Sequence, residues 1–156
     1  MMSATHLHAM IIHFPIALLM VGFLAEIVAL FIKKDLFKQA AFYLLLLGAL
    51  GAIAAYLTGG FAGEGIEEGP LKGPMELHKQ AATATLWLAI LAGLFQASML
   101  YFKYNRVWVK WVGILLFTAV VGSVARTGYL GGKLVYNHGA GVQIELPEFG
   151  SLENGK

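Results

Sequence analysis

Apolar residues in this chain come in long blocks, without the strict alternation of a half-buried strand or the narrow stripe of a soluble amphipathic helix. Four blocks cover about residues 10–32, 40–61, 77–102 and 107–130. Each is long enough, as a helix, to cross a hydrocarbon core of ~30 Å. The first two are separated by "KKDLFK" and the last two by "KYNRVWVK". Connections this short predict antiparallel helical hairpins. The central connection, "AGEGIEEGPLKGPM", is longer and rich in Gly, Pro and Glu, which predicts an exposed loop. The pattern therefore predicts an all-α, integral membrane, antiparallel four-helix bundle over residues 1–142. A polar C-terminal tail, residues 143–156, follows it.

Composition strengthens the membrane assignment. Charged residues make up 13% of the chain, about half the usual share of a soluble domain. The mean hydropathy is +0.71. No basic segment precedes the first apolar block and no A-x-A-like site follows it, so the expectation is an uncleaved first helix. The chain has no cysteine, which excludes disulfides, thiolate metal sites, iron–sulfur clusters and covalent c-type haem. A net charge of +2, scattered along the chain, argues against a nucleic-acid partner.

Charge also predicts orientation. The two hairpin loops hold Lys33, Lys34, Lys38, Lys103, Arg106 and Lys110 against a single acid, Asp35. The opposite side holds five basic residues and seven acids, with Glu64, Glu67 and Glu68 together in the central loop. By the positive-inside rule the hairpin loops face the cytoplasm, and both termini and the central loop face outward. The outer side is then the periplasm or its equivalent. The acidic loop on that side would steer a basic partner.

This topology brings four of the five histidines to one face. His8 and His13 enter the first span from outside, His78 begins the third, and His138 follows the fourth. Ionisable residues in membrane segments point to function. The alternative is that interfacial imidazoles simply remain wet. Facing helices of a bundle are where cofactor and metal sites are built, and haem takes axial imidazoles from both sides of a flat macrocycle. Small residues give the room such a plane needs. Ala81, Ala82 and Thr85 share the helix face of His78, and Gly131 and Thr127 share that of His138. Gly51, Ala55, Gly59 and Gly63 recur at four-residue spacing in the second span, which small-residue helix packing explains equally well. His8 and His13 are five apart, about 140° around a regular helix, so they suit two sites better than one. Phe14-Pro15 allows the helix proper to begin at the proline, leaving His8 on a separate short segment. Two bis-histidine haems, or one haem with two supporting histidines, fit this set.

"LHAMIIHFPIALL" near the N-terminus and "GYLGGKLVYNHGAGV" after the last span resemble the signatures of a bacterial membrane family, domain of unknown function 2231. With "ELHK" around His78, the resemblance covers about residues 7–142. It implies four membrane helices, association with redox proteins including Rieske-type ones, an electron-transfer role and haem b. Carried over by position, it singles out His8, His13, His78 and His138. Relatives can lack one N-terminal histidine, so the presence of both here favours the fuller cofactor load.

Two charged residues, Glu26 and Arg126, lie at depth. Glu26 sits about 9 Å inside the far end of the first span, either as a proton carrier or quinone neighbour, or as a carboxyl bonded to Gln96 or Ser98. Arg126 lies about one turn inside the outer end of the fourth span, suited to pair with a haem propionate or to snorkel to the headgroups. Lys133 is the next candidate for a propionate. His6 reads as a solvated tail residue, and the methionines as packing.

The sequence contains no nucleophile elbow, P-loop or Rossmann glycine pattern. The expected function is thus a b-type cytochrome and not an enzyme in itself. It would carry electrons at the outer face between the quinone pool and a periplasmic redox partner, such as a c-type cytochrome, or as a subunit of a larger redox complex. The alternatives are copper or zinc handling through the histidines, and a cofactor-free assembly subunit.

Overall fold

The computed structural model describes residues 3–32, 34–64, 69–104 and 106–142. The expected C-terminal tail, and with it Glu67 and Glu68 of the central loop, lies outside the described residues. Five helices are formed: α1 (Ala4–Ile11), α2 (His13–Phe31), α3 (Asp35–Ala62), α4 (Lys72–Tyr101) and α5 (Val107–His138). Taken together, α1 and α2 make the first of four segments long and apolar enough to span a membrane. The described residues contain no strand.

The break between α1 and α2 has a local cause. Pro15 has no amide to donate to the preceding turn, and Ile12 stands as a single turn residue between the two helices. Its own backbone remains right-handed helical, so the axis is interrupted without being sharply turned. The imidazole of His13 bridges the interruption, donating Nδ1–H to the Ala9 carbonyl at 2.6 Å. The sequence allowed a start of the helix proper at Pro15; the observed start is His13, two residues earlier.

At the other boundaries, backbone chemistry follows expectation. Ile32 and Lys34 are extended, and Asp35 opens α3 with an ion pair to Lys38 at 3.1 Å. Pro74 sits in the first turn of α4, where a missing amide costs no helical bond. α5 runs to His138, well past the end of the apolar block near Leu130, before Gly139 turns left-handed at φ 64°. The Gly139 and Ala140 amides then close the helix on the Val135 and Leu134 carbonyls. That turn brings Gly141 against α1, where an added Cβ would lie 2.7 Å from Thr5 Cγ2.

Chain order sets the packing. α2 packs on α3, α3 on α4 and α4 on α5, and α2 meets α5 to close the bundle. Both described chain ends and the central connection therefore lie at one end, called here the terminal end, and the two short hairpins at the other. In lipid the hydrophobic effect does not draw helices together, so van der Waals fit between small residues does much of the work. A Cβ at Gly48 would meet Leu19 at 2.6 Å, and one at Gly22 would meet Leu44 Cβ at 2.9 Å. Around this close α2–α3 approach, Leu19, Leu45, Ala49, Ala89, Ala92, Phe117, Val120 and Val124 form the core. Phe23 and Phe117 add an edge-to-face pair with ring centroids 5.5 Å apart.

Gly48→Ala is expected to destabilise the detergent-solubilised protein by about 1–3 kcal/mol, the usual penalty for overpacking. Adding Leu19→Ala should recover part of that loss. Gly122→Ala, where the new methyl meets nothing within 4 Å, should leave stability unchanged or slightly higher. Thermal unfolding followed by circular dichroism checks all three variants.

Candidate functional site

At the terminal end α1 rests on α3, touches α2 lightly, and makes no helix contact with α4 or α5. Two imidazoles enter this end of the bundle. His8, on α1, lies against α3: an added Cβ at Gly59 would be 3.0 Å from its Cε1. His78, near the start of α4, lies against α5 in the same way, 3.1 Å from a Cβ built on Gly131. Both rings are partly buried, and both lie at the terminal end of the bundle.

Each ring is held through Nδ1. The Thr58 hydroxyl donates to the Ala54 and Ala55 carbonyls at 2.9 and 3.1 Å. Its oxygen is thereby left to accept the His8 Nδ1–H at 3.2 Å. His78 donates Nδ1–H to the Thr127 carbonyl, also at 3.2 Å. With Nδ1 carrying the proton in a neutral ring, Nε2 keeps its lone pair. That is the form in which histidine binds a metal, with its second nitrogen donating to an oriented oxygen.

Below His78 the two helices are joined by hydroxyls. Thr85, the one buried polar side chain of the described core, meets Ser123 Oγ at 2.7 Å and Thr127 Oγ1 at 2.9 Å. The same Thr127 supplies the carbonyl that holds His78, so the cluster fixes the backbone on which that imidazole depends. On the α3–α4 side, Thr83 Oγ1 and Tyr56 Oη are 3.3 Å apart.

The four expected histidines thus divide. His8 and His78 both turn into the terminal end of the bundle, His8 against α3 and His78 against α5. His13 is exposed on α2 and lines a surface cleft of about 260 Å³ with Phe14, Ala17 and Leu18. His138 is exposed at the end of α5, in a separate cleft of about 80 Å³ with Pro74, Leu77, Leu130 and Lys133. Arg126 is exposed on α5, and Lys133 stands over the Tyr129 ring with its ammonium 5.5 Å from the centroid. His6 bonds Ser3 in the first turn of α1, outside the site. Glu26 is half-buried, and Ser98, one of its expected partners, donates instead to the Phe95 carbonyl at 2.7 Å.

The small-residue stripe on α3 has more than one role. Gly51 receives Pro15, Gly59 receives His8, and Gly63 lies near the Met75 sulfur. Thr58 is the neighbour of His8 that the sequence reading missed. A threonine hydroxyl beside a glycine in an apolar span was its only signal.

Comparison with known proteins agrees with this architecture. The chain matches a family described as "Predicted membrane protein (DUF2231)" over residues 4–144. It belongs to that family. No curated protein and no solved structure matches it. The matched region of this DUF2231 chain takes in all five helices, His8 and His78 included.

Thr85→Val should lower stability by about 1 kcal/mol, the scale of an interhelical hydrogen bond in a membrane bundle. Thr85→Ser, which keeps the hydroxyl, should lose less than half of that. Unfolding of the two variants in mixed micelles provides the comparison.

Proposed function

We propose that this protein is a membrane-bound b-type cytochrome in which His8 and His78 are the axial ligands of one haem. The observation that carries this reading is the paired state of the two rings. Both have Nδ1–H committed to a fixed oxygen and Nε2 free, and both rest on a glycine at the end of the bundle where α1 stands apart from α4 and α5. This donor set fits haem, which asks the protein for two axial nitrogens. A free divalent transition ion usually asks for three or four ligands, and no group of three or more His, Asp or Glu gathers among the described residues.

Bound haem would supply one-electron chemistry between ferric and ferrous iron. The chain's own contribution is orientation. Thr58 and the Thr127 carbonyl prevent each imidazole from rotating, and their acceptance of Nδ1–H raises the basicity of Nε2. Thr85 and Ser123 stiffen the Thr127 turn. Arg126, adjacent to Thr127 in sequence, is the proposed partner for a propionate. The apolar core formed by Leu19, Phe117 and Val120 lies deeper and excludes water from the hairpin side.

The proposed orientation puts the terminal end in the periplasm, since the hairpin loops hold the excess of Lys and Arg. Electrons would pass there between the quinone pool and a periplasmic carrier or a larger redox complex. The protein would serve as a carrier in this scheme, with substrate chemistry left to its partners.

Purification from a haem-replete bacterial host should give a Soret band and a b-type pyridine haemochrome. His8→Ala and His78→Ala should each reduce haem per protein about tenfold or convert the remainder to a high-spin spectrum. His6→Ala, His13→Ala and His138→Ala should keep the low-spin spectrum. Wild-type protein without haem, even after reconstitution, would favour the cofactor-free assembly role, and bound copper or zinc the metal-handling one.

Orientation has its own measurement. A single cysteine at Glu64 should react with an impermeant maleimide in intact cells, and one at Asp35 only after the membrane is opened. The reverse pattern would place the histidine pair at the cytoplasmic side.

A further inference from the structure

The cleft at the junction of α4 and α5 combines two chemistries. Its apolar wall is Pro74, Leu77 and Leu130, and its nitrogen-bearing side chains are Lys133 and His138. His138 is exposed at the end of α5 and is not among the residues that hold the His8 and His78 rings. On a regular helix Lys133 lies about 160° from Gly131, the residue under His78, so it points away from that ring. The Lys133 ammonium is placed over Tyr129, and α5 contains no acidic residue. Among the described residues the one ion pair is Lys38–Asp35, at the far end of the bundle. Glu76, the acid nearest the α4 wall in sequence, accepts from Gln80 at 3.1 Å and does not line the cleft.

A basic rim over an apolar wall, at the end of two membrane-spanning helices, is complementary to one kind of molecule: an anionic amphiphile. We propose that this cleft binds the headgroup of an anionic phospholipid. The phosphodiester lies between the Lys133 ammonium and a ring N–H of His138, and an acyl chain descends along Leu77 and Leu130. Juxtamembrane basic residues attract anionic lipid by about 1 kcal/mol each, and the packed Pro74–Leu77 wall adds shape that a bare surface charge lacks. The site gives His138 and Lys133 a role independent of haem, so it stands whether or not the cytochrome reading does.

The test uses the full chain in detergent and native mass spectrometry with phosphatidylglycerol or phosphatidylcholine added. Phosphatidylglycerol should be retained as a resolved one-to-one adduct and phosphatidylcholine should not. Lys133→Gln should weaken that retention about fivefold, the equivalent of one basic charge. His138→Leu, which removes the ring donor, should weaken it further when added to Lys133→Gln. Lys72→Gln, at the same end of the bundle but outside the cleft, should retain the lipid as the wild type does. Equal retention by the wild type and the double variant would overturn the proposal, as would equal retention of the two lipids. Displacement of the adduct by inorganic phosphate in excess would identify a free-anion site and overturn the lipid assignment.

Discussion

A polar side chain inside a membrane bundle has no bulk water to fall back on, so its hydrogen bonds must come from its own backbone or from a neighbouring helix. The terminal half of this protein is organised by that requirement. Thr58 on α3 answers His8 on α1, Tyr56 on α3 meets Thr83 on α4, and Thr85 on α4 meets Ser123 and Thr127 on α5. These bonds join three different pairs of helices, so together they fix the rotation of α1, α3, α4 and α5 around the site. The hairpin half lacks such ties between helices among its described residues and is filled by Leu45, Phe117 and their neighbours. A polar chamber therefore sits above an apolar plug.

Glycine makes the arrangement compact enough to work. Because lipid tails are as apolar as leucine, helices gain little by hiding leucine from lipid and much by approaching closely. Gly22 and Gly48 bring α2 and α3 together around Leu19. The same device, moved toward the terminal end, changes its purpose: at Gly59 and Gly131 the space left by a missing side chain is filled by an imidazole. A methyl group at either position would press on the ring carbon between the two nitrogens, so the orientation of Nε2 depends on glycine as much as on the Nδ1 partner. Close packing and ring orientation are here the same physical feature.

Most of the fold was legible in the sequence because block hydropathy and short basic loops leave few alternatives for a chain of this length. The break near Pro15 was legible too, from the missing amide. The end of α5 was harder to read. "GGKLVYNH" is too polar and too glycine-rich to extend an apolar block, yet it stays helical up to Gly139. The site was legible only in part. Membrane topology grouped His8, His13, His78 and His138 by depth, but depth says nothing of rotation about each helix axis. Rotation is set by which glycine and which hydroxyl a ring meets across the bundle, and those partners are 50 residues from His8 and 49 from His78. His13 illustrates the difference. It shares a motif with His8, but Leu19 and Pro15 turn toward α3 and leave it on the outside of α2.

The depth of the histidine pair is finally controlled from the opposite end. Tyr101, Phe102, Tyr104, Trp108 and Trp111 are all exposed around the α4–α5 hairpin, among Lys103, Arg106 and Lys110. Aromatic rings of this kind settle at the headgroup level, and the adjacent basic residues remain in water. With the hairpin end anchored in that way, the rigid length of α5 determines how far the terminal end rises in the bilayer. α5 has 32 residues, about 48 Å at 1.5 Å per residue, against a hydrocarbon core of ~30 Å. The surplus places the last turns of α5, with Lys133 and His138, among the headgroups. Thr127 and Gly131 lie two to three turns earlier, near the hydrocarbon boundary. His8 and His78 are therefore held near the hydrocarbon boundary, where the medium is still dry enough to keep their hydrogen bonds strong.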